Sequence, residues 1–285
     1  MGAALAGRLL GVGHALAVWN RTAAKTEALV AAGATMAATP RELAKAADMV
    51  ITILTDAAAI DATYHGASGL LAANVRGKLF VDMSTVRPEV ERALAARVRA
   101  CGAALVDCPV GGTVGPAKEG KLFGFVGGDL DDVARARPVL DQLCRRVEYV
   151  GPVGAGASVK LAINLPLLVY YQALGEALSL CRSLNIDPAR LVDIFADTSG
   201  GPNMLKVRGP AIAAALQGKD SSPVTFDVNL IRKDLRTMLE EAAGLGVELP
   251  LTARALDCYD AAARRGMGAS DATMLPADWL RQGGR

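Results

Sequence analysis

Lys160 and Asn164 stand four residues apart in the stretch Gly154-Ala-Gly-Ala-Ser-Val-Lys160-Leu-Ala-Ile-Asn164, where a long apolar run begins. Four residues make about one helical turn, so both side chains project from one face of a helix. An ammonium at the start of a hydrophobic run, with no acidic residue nearby in sequence, is expected to titrate below the usual lysine range. Such a lysine suits proton transfer near neutral pH. The competing reading is a snorkelling lysine, its stem on apolar surface and its head in water. With only His14 and His65 in the chain, acid–base chemistry would fall to lysine, aspartate or tyrosine.

A second group of interest is Asn20-Arg21-Thr22, directly after the apolar segment Ala15–Asn20. In dinucleotide-binding folds the end of the second strand meets the adenosine ribose. An acidic residue there holds the 2′-hydroxyl of NAD, and an arginine accommodates the 2′-phosphate of NADP. Here Asn20 occupies the acidic position, Arg21 offers a planar set of donors suited to phosphate, and Thr22 adds a hydroxyl. Lys25 adds charge one turn later. The pattern favours NADP over NAD, against the plainer reading of a solvated basic turn.

The elements that must position these residues differ between the two halves. Apolar or β-branched runs at Ala15–Asn20, Asp48–Leu54, Lys78–Asp82, Ala103–Asp107 and Gly124–Gly127 read as strands. Helical segments are expected at Ala23–Ala32, with Gly33 as its stop, at Pro88–Arg99 and at Asp131–Cys144. This alternation predicts a parallel, doubly wound α/β sheet of the Rossmann type over residues 1–153. From 154 to 285 the pattern is helical, with helices near Ser158–Leu184, Pro188–Ala196, Asn203–Leu216, Val228–Leu245 and Pro250–Arg265, and Asp187 as an N-cap. Met1–Leu10 reads as a helix under way, with Gly2 as the third glycine of a G-x-G-x-x-G turn. The first strand and first two glycines of such a unit would precede Met1, so the native chain is expected to begin upstream.

Composition narrows the function classes. A net charge of +2 and the absence of like-charge blocks give no nucleic-acid footprint. The apolar run after Lys160 is interrupted by Glu176, leaving about fifteen residues where a bilayer needs roughly twenty. It is therefore expected to be buried at a domain or subunit interface, giving a homodimer or homotetramer and no membrane association. The five cysteines, Cys101, Cys108, Cys144, Cys181 and Cys258, form no C-x-x-C pair. Their odd number, with no leader sequence expected, suggests buried free thiols in a reducing cytoplasm. No cluster of His, Cys and carboxylates has metal-ligand spacing, so no metal is expected.

Several segments, taken in order and spacing, resemble the β-hydroxyacid dehydrogenases, which include 3-hydroxyisobutyrate dehydrogenase and tartronate semialdehyde reductase. They are Met1-Gly2 with its helix, Trp19–Thr22, Val81–Thr85 with Pro88, and Asp107–Thr113 with Gly115 and Gly120. They continue with Gly154-x-Gly-x-x-x-Lys160-x-x-x-Asn164, Arg232–Leu235 and Gly266–Asp271. The resemblance implies a Rossmann-type sheet followed by an all-α domain, as in 6-phosphogluconate dehydrogenase. It implies that Lys160 is the catalytic lysine and that Asn164 orients substrate. By the same resemblance Leu54 and Thr55 run beside the nicotinamide, as do Ser84 and Thr85, with Ser84 also facing substrate. The loop of Gly111, Gly112 and Thr113 cradles the substrate carboxylate, and Lys233 approaches cofactor and substrate. Other readings are a helix cap for Ser84-Thr85, a plain turn for Gly111–Gly115, a solvated lysine for Lys233, and a structural role for Asp107.

The chain departs from the family pattern at two places. Gly111-Gly112-Thr113 replaces the usual Ser-Gly-Gly, and Ile163 stands where an asparagine is common. Both changes make the expected pocket less polar and favour a bulkier or more apolar substrate. The expected activity is hydride transfer between a nicotinamide, NADP with NAD possible, and a small carboxylate bearing a hydroxyl or semialdehyde. The alternatives are an imine reductase, which generally lacks this lysine, and a non-catalytic nucleotide-binding or dimerisation module.

Overall fold

A computed structural model describes residues 1–219 and 223–282. The chain divides into two compact units, Met1–Leu161 and Ala162–Arg285.

The first unit alternates helix and strand: α1 Gly2–Gly11, β1 Ala17–Val18, α2 Glu27–Ala31, β2 Thr35–Met36, α3 Pro40–Ala46, β3 Met49–Thr52 and α4 Ala57–His65. It continues with β4 Leu79–Asp82, α5 Pro88–Ala100, β5 Ala104–Asp107, β6 Val110–Gly111, α6 Val114–Lys118, β7 Leu122–Gly127, α7 Leu130–Leu143 and β8 Cys144–Gly151. Strands β3, β4 and β5 are parallel and in register, and β1 pairs with β2 in a separate two-stranded sheet. The expected all-parallel sheet is corrected at its far side, where β7 runs antiparallel to β5 and β6. The connection from β6 to β7 carries only the five-residue α6, too short for the crossover that a parallel neighbour needs, so β7 returns antiparallel to β6.

Both faces of the sheet are covered, so its strands read as continuous apolar runs. Side chains alternate between two cores. Leu79, Val81 and Val106 pack with Leu5, Leu9, Leu140 and Leu143 of α1 and α7. Phe80 and Leu105 pack with Ile60, Tyr64, Leu94 and Val98 of α4 and α5. Cys144, expected to end a helix, instead starts β8, a strand that the charged run Arg145-Arg146 concealed. Helices α3 and α4 were also absent from the sequence reading. Each is capped by a side chain, Thr39 accepting from the Glu42 N–H and Asp56 from the Ala59 N–H.

The second unit holds most of α8 Ala155–Leu180, then α9 Pro188–Ala196, α10 Asn203–Leu216, α11 Val228–Gly244, α12 Pro250–Arg264 and α13 Leu275–Gln282. Asp187 accepts from the N–H groups of Ala189 and Arg190, the expected cap of α9. Helix α8 has 26 residues with a mean hydropathy of 1.2 over its best window, so by length and composition it could cross a membrane. The uncharged run between Lys160 and Glu176 lies inside this longer helix. Its inner face is tied into this unit: Leu168, Tyr171, Leu174 and Leu178 are buried. The Leu168 carbonyl accepts from the Tyr259 hydroxyl, and Gln172 Oε1 accepts from the Trp279 indole. All five cysteines are free, but only Cys108 and Cys144 are buried and Cys101 is exposed, so the expectation of uniformly buried thiols is corrected.

Candidate active site

The first unit builds its candidate site at the C-terminal ends of the parallel strands, where open α/β sheets bind ligands. Helix α1 starts at Gly2 with no side-chain cap on its first N–H groups and no acidic residue in its first turn. Those N–H groups and the positive end of the helix dipole fit an anionic pyrophosphate. After β1, Asn20 Oδ1 accepts the Thr22 N–H at 2.9 Å and folds the turn on itself. This leaves Asn20, Arg21 and Thr22 exposed, with Arg21 in no ion pair among the described residues. An unpaired guanidinium beside a tight turn fits a phosphate monoester. The chain's own groups thus fit NAD(P).

The loops after β3 and β4 are locked to each other. The Leu54 N–H donates to Ser84 Oγ at 2.9 Å, and the Ser84 N–H donates to Asp82 Oδ1 at 2.8 Å. Asp82 Oδ2 accepts from the Thr52 hydroxyl at 2.6 Å, and that hydroxyl lies 2.8 Å from the Tyr64 hydroxyl. Ser84 is thereby engaged inside the protein and buried, while Thr85 stands beside it half-buried. Thr55 Oγ1 donates to Asp56, the cap of α4. Sequence reasoning missed Asp82, Thr52 and Tyr64. The signal was the polar end of each apolar strand, where a buried polar side chain needs partners.

Gly111 ends β6 and Gly112 follows it. Gly112 has φ +123°, and a Cβ there would fall 2.7 Å from Leu122 Cδ2, so only glycine fits. Thr113 stands at the start of α6 with no side-chain cap bond. Its hydroxyl is therefore not consumed by the helix terminus.

The start of α8 is fixed by Asp107. Its Oδ1 accepts the Gly154 N–H at 2.8 Å and its Oδ2 the Ala157 N–H at 2.9 Å, so an aspartate at the end of β5 caps a distant helix. Gly156 permits that approach, since a Cβ there would lie 2.3 Å from the Phe125 carbonyl oxygen and 2.8 Å from Asp107 Oδ2. Burial is the main cause that raises the Asp107 carboxyl to about 6, against the pull of the two N–H bonds. The Gly-x-Gly before Lys160 is thus a docking device for the helix that carries the lysine. Lys160 is 9 % exposed, one turn and a half into α8.

Further along α8, within the helical unit, Asn164 is 6 % exposed and its Nδ2 donates to Asp234 Oδ2 at 3.3 Å. Lys233 Nζ lies 2.6 Å from Asp234 Oδ1. Asp234, buried on α11, so gathers Asn164 and Lys233. The sequence named it only as part of a motif. Ile163, by contrast, is 44 % exposed.

Residues 1–151 match the family described as the NAD binding domain of 6-phosphogluconate dehydrogenase. Residues 154–277 match the one described as NAD-binding of NADP-dependent 3-hydroxyisobutyrate dehydrogenase. The chain belongs to the β-hydroxyacid dehydrogenase family. A 3-hydroxyisobutyrate dehydrogenase of Pseudomonas aeruginosa is 35% identical over 91% of this chain and 88% of its own. A 3-sulfolactaldehyde reductase of Escherichia coli is 33% identical over 95% of this chain and 90% of its own. The solved structure of Psf3 in complex with NADP+ and 2-OPP superposes with a TM-score of 0.85 at 27% identity, covering 100% of this chain and 97% of that one. As a member of this family the chain is an NAD(P)-dependent oxidoreductase acting on hydroxyl-bearing carbon, with a Rossmann-like sheet and a helical C-terminal domain.

Proposed function

We propose that this β-hydroxyacid dehydrogenase family member is an NADPH-preferring enzyme for a small β-hydroxyacid or its semialdehyde, with Lys160 as general acid and base. The observation that carries the reading is a nearly buried lysine on a helix whose first turn is clamped by Asp107, one turn before an asparagine held by Asp234. When bound, the nicotinamide supplies or accepts the hydride. In reduction Lys160 Nζ gives its proton to the substrate oxygen, and in oxidation it receives the hydroxyl proton. Asn164, its amide oriented by Asp234, holds that oxygen in register. Lys233 adds positive charge near the substrate or cofactor, and the Asp234 carboxylate fixes its direction.

On the cofactor side, residues 1–153 form the NADP-binding domain, with 154–285 as the substrate and assembly domain. Gly2 opens the helix that meets the pyrophosphate, and Asn20, Arg21 and Thr22 meet the adenosine ribose and its 2′-phosphate. Leu54, Thr55 and Thr85 border the nicotinamide, while Ser84 acts through the bonds that hold Leu54. Gly111, Gly112 and Thr113 bind the substrate carboxylate through backbone N–H groups, as glycine-rich turns bind anions. Thr113 and Ile163 favour a substrate bulkier than the simplest hydroxyacids. Only 44% of the apolar window of α8 is buried within one chain, and Leu180 is 86 % exposed, which supports a homodimer or homotetramer. The free thiols support a reducing, cytoplasmic setting.

The test is steady-state kinetics with NADPH and NADH against a panel of semialdehyde acids, with a cyclic imine as control, on the wild type and Lys160→Met. Lys160→Met should lower kcat by roughly 10²–10⁴-fold, the usual weight of a general acid, while NADPH binding persists. Unchanged turnover in Lys160→Met, or faster reduction of the imine than of any semialdehyde, would remove this assignment. Equal kcat/KM with NADH would remove the role given to Arg21.

A further inference from the structure

Thr52, Asp82 and Asp107 are the last residues of β3, β4 and β5 and are direct register partners across the three strands. Partners in a parallel sheet point to the same face. This row therefore faces α5, the side on which Phe80 and Leu105 pack. Helix α5 brings down a third carboxyl, Glu91, 1 % exposed, over two aspartates that are 0 % exposed. Three carboxyl groups share one buried space.

Two of the three have donors enough for an anion. Asp107 takes the two N–H groups at the start of α8. Asp82 takes the Thr52 hydroxyl, the Ser84 N–H and the Ser84 hydroxyl. Glu91 has no such set, and its Oε2 meets no partner. The groups that act on it are acidic or neutral: Asp82 on β4, Asp107 on β5 and Tyr64 on α4. Of the neighbouring arginines, Arg87 pairs with Glu89, and Arg92 lies against Gly154. A buried anion without a cation is unfavourable, so the proton of the cluster belongs on Glu91, whose hydroxyl then donates to Asp82.

We infer that Glu91 is a positioning residue for the cofactor-side loops, its protonated carboxyl completing the bond set of Asp82 and so holding Ser84 and Leu54 in place. The connection is short. Asp82 orients Ser84 through two bonds, and Ser84 Oγ accepts the Leu54 N–H. These are the loops that the proposed function sets beside the nicotinamide, and the inference rests on that reading. Burial, then Asp82, then Asp107 raise the Glu91 carboxyl well above its ordinary range. A raised acid favours the folded, protonated form. The brace is complete at low pH and is lost as pH rises through the Glu91 titration.

The experiment is NADPH affinity, read by nicotinamide fluorescence from about pH 6 to about pH 9, in the wild type, Glu91→Gln and Glu91→Ala, with thermal melts alongside. Glu91→Gln keeps a donor toward Asp82 and cannot ionise. It should match the wild type at the acid end and bind more tightly than the wild type at the alkaline end. Glu91→Ala, lacking the donor, should bind about tenfold more weakly than Glu91→Gln at every pH, and about tenfold more weakly than the wild type at the acid end. A Glu91→Gln profile that tracks the wild type at every pH overturns the inference. So does a Glu91→Ala protein that binds as tightly as the wild type at the acid end. If Glu91→Ala does not fold, the Glu91→Gln profile decides. If the wild type binds no NADPH at any pH, the cofactor reading falls by itself. Amide exchange at Leu54 then decides the brace, faster exchange in Glu91→Ala than in Glu91→Gln supporting it and equal rates overturning it.

Discussion

In the sheet unit Asp82 and Asp107 are met by hydroxyls and backbone N–H groups, whereas in the helical unit Asp234, Asp271 and Asp278 are met by Lys233, Arg208 and Arg265. The contrast follows from where each element leaves donors. Strand ends and helix starts leave N–H groups without partners, so an aspartate can be satisfied there by backbone alone. Helix interiors consume their own N–H groups, and a carboxylate between helices must find a cation. Asp271, in the loop after α12, uses both: the N–H groups of Thr225, Phe226 and Thr273 and the guanidinium of Arg208. The titrations diverge accordingly. Burial dominates at Asp107 and raises it, while at Asp271 burial is outweighed by the Thr225 and Thr273 N–H bonds and Arg208, which bring it below its ordinary value.

The strongest way to sharpen this contrast is to remove a cation. Arg208→Met should destabilise the protein by about 3–5 kcal/mol, because Asp271 is left buried with its charge partner gone. Urea unfolding reads the effect. A loss under about 1 kcal/mol would show that the three N–H groups suffice, and the two units would no longer differ in kind.

Removing the acid on the other side should cost less. Asp107→Ala leaves two N–H groups at the start of α8 without acceptors, at about 1–3 kcal/mol, and should displace Lys160 enough to lower kcat. Equal kcat in the variant would detach the cap from the catalytic lysine.

The smallest effect expected is on pH dependence. Asp107 is raised to about 6, so its contribution to stability is complete below the ordinary aspartate value of 3.8 and is lost as pH rises through about 6. Asp271 is lowered, so its contribution is present above 3.8 and lost as pH falls through its folded value. Amide exchange followed from about pH 4 to about pH 7 should show protection at the start of α8 weakening with rising pH. Protection around Thr225 and Thr273 should be least at the acid end. Parallel trends in both places would break the comparison.

How far the site was legible depends on how local each interaction is. Lys160 and Asn164 share a helix face four residues apart, and Asp187 caps the helix it precedes, so sequence spacing sufficed. The Asn20–Thr22 turn also closes on itself. Asp82, Glu91 and Asp107 lie on three different elements, β4, α5 and β5, and meet only through strand register and the seat of α5. Each reads in isolation as an unremarkable acid. Ser84 was legible as a site residue, but the fact that its hydroxyl is spent on Leu54 and Asp82 was not.

The sequence alone determined the alternation of strand and helix in the first half, the helical second half, and the family to which the motifs belong. These depend on periodicity and on side chains within a turn of one another. Tertiary structure decided that β7 runs antiparallel to β5, that Asp107 caps α8, that Asp234 gathers Asn164 and Lys233, and that Glu91 lies over Asp82. The reason is physical: such contacts are set by which strand ends lie side by side and which backbone donors remain unpaired there, and neither is written in the local order of residues.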